Sequence, residues 1–102
     1  MKSRYLDEGT HRGPGVAMLC PELADSTVRG NAAIHDFAVR NREAADGHSF
    51  DMVVTWALEA ASTSVVEYDI RSEAEEQAWA EIIQWDGDRV REVHAYILAT
   101  AG

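Results

Sequence analysis

One carboxylate lies in a strongly apolar stretch near the C-terminal end of the chain. The residues at two-residue spacing around Glu81 are Trp79, Ile83 and Trp85, and alternate residues of a β-strand share a face. Burial among such side chains would raise the pKa of the carboxyl group, because it disfavours the charged form. A carboxylic acid kept neutral can donate a hydrogen bond to an oxyanion. The alternative is that Glu81 reaches a solvated rim, or pairs with Arg91 or Arg29, and stays ionised.

The loop that follows this stretch decides what Glu81 faces. Two runs rich in β-branched and aromatic residues flank Asp-Gly, a strong hairpin signal. A two-residue turn at 86–87 would pair Glu81 with Glu92, whereas a three-residue loop at 86–88 would pair it with Val93. The odd positions of the last run are apolar and the even ones are polar or amphipathic. Because apolar faces pack together, we predict the three-residue loop.

Hydrophobic periodicity places the elements before the hairpin. Asn31 is a good N-cap, and apolar residues follow it at helical spacing until Asp46-Gly47, which signals the end of a helix near Ala45. Residues 50–59 and 64–71 alternate with a period of two, which predicts two half-buried strands. The C-terminal half is therefore an antiparallel meander packed on a helix.

The N-terminal part has weaker signals. Residues 1–15 contain three glycines, a proline and several charges without periodicity, and we predict a flexible arm there. Residues 16–20 form an apolar run long enough for one strand. The chain is then a single α+β domain over residues 16–102, since 102 residues suit one compact core.

Charge and cysteine content limit the partners. Nine Lys and Arg against 18 Asp and Glu give a net charge of −9, which would repel phosphate backbones and anionic lipid, so we expect neither a nucleic acid nor a membrane partner. The single Cys20 cannot form an internal disulfide, which favours the cytoplasm. His11, His35, His48 and His94 have no ligand spacing to one another or to Cys20, so we expect no metal and no cofactor.

Two motifs resemble a known family. They are Arg29-Gly30-Asn31-Ala32-Ala33-Ile34 followed by Phe37, and Trp85-Asp86-Gly87-Asp88-Arg89-Val90 followed by Tyr96. The chain resembles the SnoaL-like branch of the nuclear transport factor 2-like superfamily, which includes ketosteroid isomerases, limonene epoxide hydrolases and polyketide cyclases. The resemblance implies a sheet curled into a cone around an apolar pocket, with the N-terminal helices reduced or absent here. It also implies a homodimer through the outer sheet face.

The same resemblance assigns the site residues. Glu81 falls where ketosteroid isomerases carry a protonated acid, and Tyr68 faces the same cavity, either as a second donor or as an ordinary core tyrosine. The implied lining of the pocket consists of Cys20, Met52, Val54, Trp56, Val66, Trp79, Ile83, Val93, Ala95 and Ile97. The tryptophans either form walls for a flat ligand or simply fill the core.

Other positions of the family's chemistry do not match. The aspartate base of ketosteroid isomerases, at the end of the first strand, falls on Pro21, and the last-strand aspartate of epoxide hydrolases falls on Ala95. The resemblance therefore implies binding of a small hydrophobic molecule (steroid-, polyketide- or terpenoid-like), with acid-base chemistry of the isomerase or cyclase kind. The alternative is a non-catalytic dimerisation module with a vestigial cavity.

Overall fold

The computed structural model describes residues 4–45 and 50–101. Within these residues two helices and six strands follow one another: β1 (Tyr5–Arg12), α1 (Pro14–Leu19), β2 (Thr27–Arg29), α2 (Asn31–Ala45), β3 (Phe50–Glu59), β4 (Thr63–Ser72), β5 (Glu76–Asp86) and β6 (Arg89–Ala101). The predicted helix from Asn31 and the four C-terminal strands are confirmed. The predicted stop signal Asp46-Gly47, like His48, lies outside the described residues.

All the strands join one sheet in the order β2-β1-β6-β5-β4-β3. The meander from β3 to β6 is antiparallel, as predicted. Strand β1 adds a parallel pair with β6 and an antiparallel pair with β2, so the complete sheet is mixed. The architecture is α+β, with both helices next to the β1–β2 end of the sheet. Among the described residues, neither helix combines the length and apolarity that crossing a bilayer requires.

The N-terminal segment differs from its prediction. Tyr5–Arg12 is an internal strand instead of part of a flexible arm, because it is hydrogen-bonded to a neighbour on each side. Gly9 permits the close approach, since a Cβ there would lie 3.2 Å from the Val90 carbonyl oxygen. These partners are distant in sequence, so local composition gave no sign of them.

The strand predicted at residues 16–20 is also wrong. Residues 16–19 of this run belong to helix α1, and Cys20 caps its C-terminal end. The helix begins with Pro14 at its first position, where the fixed φ of proline suits a helix and its missing N–H costs nothing. Short apolar runs do not distinguish strand from buried helix by periodicity alone. Val16 is fully buried on this helix, in a core formed with Cys20, Val28, Ile34 and Phe37.

The register of the β5–β6 hairpin corrects the predicted loop. Asp86 pairs with Arg89, so the turn has two residues, with Gly87 in the left-handed region at φ 62°. A bulge then makes Arg91 an extra residue between the pairs Trp85–Val90 and Gln84–Glu92. Glu81 consequently pairs with Ala95 instead of Val93. The bulge keeps the odd-numbered face of β6 on the side of Glu81, so the predicted face is correct although the loop and the partner were wrong.

The helices cover only part of the inner sheet face. Helix α2 packs on β1 and β2, and α1 packs on α2, β2 and β6. The inner-face residues of β3 are left at the open side, where Phe50, Met52 and Val54 are 45–60% exposed. Between the helices and strands β3–β5 the structure therefore has a cleft.

Candidate ligand-binding cavity

The cleft encloses about 790 Å³ between the inner sheet face and the two helices. This volume is within the usual range of small-molecule sites. Among its lining residues are His11 of β1, Leu19 of α1, Phe37 of α2, Met52 of β3, Tyr68 of β4, Trp79 and Glu81 of β5, and Ala95 of β6. Both helices and five strands thus contribute to one concave, largely apolar surface.

Glu81 and Tyr68 lie close together in this cavity. They are diagonal neighbours on β5 and β4, because Glu81 pairs with Val66 and Tyr68 pairs with Trp79. Burial raises the pKa of the Glu81 carboxyl, and the hydrogen bond from the Tyr68 hydroxyl partly opposes this rise. The pKa of Tyr68 is also raised, first by burial and then by the charge of Glu81 and the hydrogen bond to it. The site therefore favours the protonated forms of both groups.

The alternative partners of Glu81 are engaged elsewhere or have no described contact with it. Arg29 donates to the Asp25 carboxylate at 2.6 Å on the protein surface. Arg91 is the bulged, exposed residue of β6. Tyr68 is the neighbouring side chain that lowers the pKa of the Glu81 carboxyl against the effect of burial.

Five of the predicted site residues line the cavity together: Met52, Tyr68, Trp79, Glu81 and Ala95. The Tyr68 and Trp79 rings lie nearly parallel, with an interplanar angle of 8° and centroids 6.4 Å apart. The indole N–H of Trp79 donates to Gln77 Oε1 at 3.0 Å, which holds the ring in place. These residues give the cavity one flat aromatic wall beside its carboxyl group.

The other predicted lining residues lie elsewhere. By strand pairing, five share the inner face but do not line the cavity: Val54, Val66, Ile83, Val93 and Ile97. Cys20 does not line it either, because the turn after α1 places its side chain in the core. Its Sγ is 3.5 Å from the Arg40 guanidinium.

Trp56 lies on the opposite face of the sheet from its predicted position. A bulge at Thr55 interrupts β3, so that Val54 pairs with Tyr68 but Trp56 pairs with Glu67. The extra residue reverses the alternation, and the Trp56 side chain is 48% exposed on the outer face. The side chain of Trp85, unlike that of Trp56, is partly buried, and its indole N–H donates to Ser64 Oγ at 2.9 Å.

His11 is one of the cavity residues that the sequence interpretation missed. Its ring lies 5.2 Å from the Phe37 ring, and Nδ1 is 3.2 Å from the Tyr5 hydroxyl. Burial lowers the pKa of His11, so the imidazole is neutral at neutral pH. Burial and the charge of Glu81 raise the pKa of Tyr5 to about 12. Two polar pairs, Glu81–Tyr68 and His11–Tyr5, therefore belong to one electrostatically coupled site.

A correct prediction of strand β1 would have identified His11 as a cavity residue. The resemblance placed a catalytic base at the end of the first strand, which the sequence interpretation assigned to Pro21. The first strand ends instead at Arg12, so His11 is the cavity-facing residue at that end. Among residues 4–45 and 50–101, no three His, Cys, Asp or Glu side chains converge on a possible metal position.

The comparisons with known proteins define the fold. No protein-family model matches the sequence, and no curated protein sequence matches it. Solved structures do match. A SnoaL-like protein of unknown function from Burkholderia thailandensis has a TM-score of 0.71 at 15% identity, over 94% of this chain and 76% of its own. A candidate ketosteroid isomerase from Kribbella flavida has a TM-score of 0.69 at 13% identity, over 96% of this chain.

A steroid delta-isomerase from Pseudomonas aeruginosa also matches, with a TM-score of 0.66 at 17% identity, over 93% of this chain. The nuclear transport factor 2-like resemblance is thereby confirmed at the level of the fold. The chain has the curved sheet of that class, with reduced helices. It spans 63% of the length of both the Kribbella and the Pseudomonas proteins.

Proposed function

We propose that this protein binds a small hydrophobic molecule in the cavity and anchors an oxygen atom of that molecule with Glu81 and Tyr68. The observation that carries the proposal is a carboxyl and a phenol on neighbouring strands, with both pKa values raised, lining one largely apolar cleft of about 790 Å³. Ligand sites commonly combine apolar walls with a few convergent polar groups. Titratable groups with perturbed pKa values favour such a site over a purely structural pair.

The chemistry that this anchor supports is stabilisation of a carbonyl oxygen. A protonated Glu81 donates a hydrogen bond to that oxygen, and the donation strengthens as negative charge develops there. This is the step required for isomerase- or cyclase-type acid-base catalysis. The stacked Tyr68 and Trp79 rings suit a flat steroid-, polyketide- or terpenoid-like skeleton. Names of two structural relatives, the candidate ketosteroid isomerase and the steroid delta-isomerase, agree with this class.

Calorimetric titration with 2-tetralone, a flat bicyclic ketone, tests the proposal. Glu81→Leu removes the carboxyl donor and is expected to weaken binding about 2- to 12-fold, the equivalent of one hydrogen bond. Glu81→Gln retains an amide donor and is expected to lie between Glu81→Leu and the unmodified chain. Glu75→Gln is the matched control, because Glu75 lines the same cavity but is exposed. Equal affinities for the unmodified chain and Glu81→Leu would refute the proposed anchor.

We further propose a homodimer through the outer sheet face. Five large side chains on β3 and β6 are 39–54% exposed on that face or its margin: Val53, Trp56, Leu58, Tyr96 and Leu98. Large apolar side chains exposed on a sheet face are typical of protein–protein contacts. If the cavity binds nothing, this face supports the alternative function, a dimerisation module. Light scattering tests the dimer, which is refuted if the monomer mass persists at high concentration.

A further inference from the structure

We propose that His11 is a second ligand anchor, which selects molecules carrying a weakly acidic hydroxyl group such as a phenol or an enol. The inference rests on the proposed binding function, because it specifies which ligand the same cavity accepts. Its basis is the position and the hydrogen-bonding state of His11, a residue that the Glu81–Tyr68 anchor does not use.

Strand register places His11 across the cavity from Glu81. Glu81 pairs with Ala95 on one side of β6, and His11 pairs with Val93 on the other side. Val93 and Ala95 are two residues apart, so the two cavity residues are separated by two strand spacings and one two-residue step. Standard sheet dimensions give roughly 12 Å between their Cα atoms. Both side chains project from the inner face, which leaves room for a bicyclic ring system between their polar ends.

The surroundings of His11 prepare its imidazole as an acceptor. A neutral imidazole carries one N–H donor and one unprotonated acceptor nitrogen. In the tautomer that the proposal requires, Nδ1–H donates to the Tyr5 hydroxyl oxygen, 3.2 Å away, and Nε2 keeps its lone pair. The Phe37 ring, with its centroid 5.2 Å away, limits the orientations of the imidazole. Nε2 can then accept a hydrogen bond from a ligand.

The charge and the aromatic walls of the cavity favour a hydroxyl group as the hydrogen-bond donor of the ligand. A carboxylate ligand is disfavoured by the net charge of −9 and by Glu75 and Glu81 in the lining. A phenol or enol is uncharged, and it donates a stronger hydrogen bond than an aliphatic alcohol because its oxygen is more acidic. An aromatic ring that carries the hydroxyl also matches the walls formed by Phe37 and Trp79.

Two probes with the same ring system test the inference: 2-naphthol and 2-methoxynaphthalene, which lacks the hydroxyl donor. In calorimetric titrations we expect the unmodified chain to prefer 2-naphthol about 2- to 12-fold, the equivalent of one hydrogen bond. His11→Leu should abolish this preference, measured as the ratio of the two affinities, and His11→Gln, which keeps an acceptor oxygen, should restore part of it. His94→Leu is the matched control, because His94 lies on the outer face beside Tyr96 and should not affect the preference.

The nitrogen NMR signals of His11 give an independent readout. On addition of 2-naphthol, the Nε2 signal should move in the direction typical of a nitrogen that accepts a hydrogen bond, which loss of packing alone would not produce. Equal binding of the two probes, with no movement of Nε2, overturns the inference and leaves the proposed function intact. Absence of saturable binding by either probe overturns both.

Discussion

Removing the Tyr68 hydroxyl is expected to destabilise the protein more at neutral than at acidic pH. In Tyr68→Phe the Glu81 carboxyl loses the hydrogen bond that lowers its pKa, so its pKa rises further. A hydrogen bond to a charged group contributes about 1.5–3 kcal/mol and one between neutral groups about 0.5–1.5 kcal/mol. Because Glu81 is only half-buried, solvent screening reduces the first figure to about 1.5 kcal/mol. We expect a cost near that value where Glu81 is ionised, and about 0.5 kcal/mol where it is protonated.

Urea unfolding followed by tryptophan fluorescence measures this difference at about pH 8 and about pH 4, on either side of the ordinary glutamate range. The double variant Glu81→Gln/Tyr68→Phe is the control, because glutamine does not titrate. In the Glu81→Gln background the cost of removing the hydroxyl should be the same at both pH values. An equal cost at the two pH values in the unmodified background would show that Tyr68 does not interact with an ionisable Glu81, and would refute the reasoning.

Three further predictions concern Glu81, the outer face and the cavity rim. The folded-state pKa of Glu81 is raised, so its contribution to stability is full below the unfolded pKa and is lost as pH rises through the folded value. In urea titrations the free energy of unfolding of Glu81→Gln should therefore rise relative to that of the unmodified chain as pH rises. A difference between the two that does not change with pH would contradict the raised pKa of Glu81. Trp56→Ser should shift the proposed dimer towards monomer in light scattering while leaving 2-tetralone affinity unchanged; an unaltered dimer mass would exclude Trp56 from the interface. Gly13→Ala should cost about 1–3 kcal/mol in thermal unfolding, because Gly13 has φ +154° and a Cβ would lie 2.8 Å from the Ala95 carbonyl oxygen. Gly15→Ala is the control, since its nearest contact is an ordinary 3.7 Å to Phe37, and equal costs would refute the steric argument.

The parts of the fold that the sequence predicted are those with strong periodicity. In helix α2 and the strands β3–β6 the apolar residues recur at helical or strand spacing, although β3 is exposed along its whole length. Strand β1 has no such pattern: Asp7 and Glu8 are exposed, and the strand forms because β2 and β6 supply partners from distant parts of the chain. Non-local pairing of this kind leaves no trace in local composition.

The residues of the candidate site were predicted correctly only where the strand that carries them was predicted correctly. Glu81, Tyr68 and Trp79 were placed correctly on one face because β4 and β5 pair without interruption. Trp56 was placed on the wrong face because a bulge at Thr55 adds a residue, and nothing in the alternation of β3 signals it. His11 was missed because its strand was missed.

The central claim is that Glu81, beside Tyr68, donates a hydrogen bond to a carbonyl oxygen of a bound molecule. The most direct test is the 13C NMR shift of the carbonyl carbon in labelled 2-tetralone bound to the protein. Hydrogen bonding polarises the carbonyl group, so the bound signal should lie downfield of its position in an apolar solvent and return towards that position in Glu81→Leu. A bound signal at the apolar-solvent position in the unmodified chain, unchanged by Glu81→Leu, would contradict the claim.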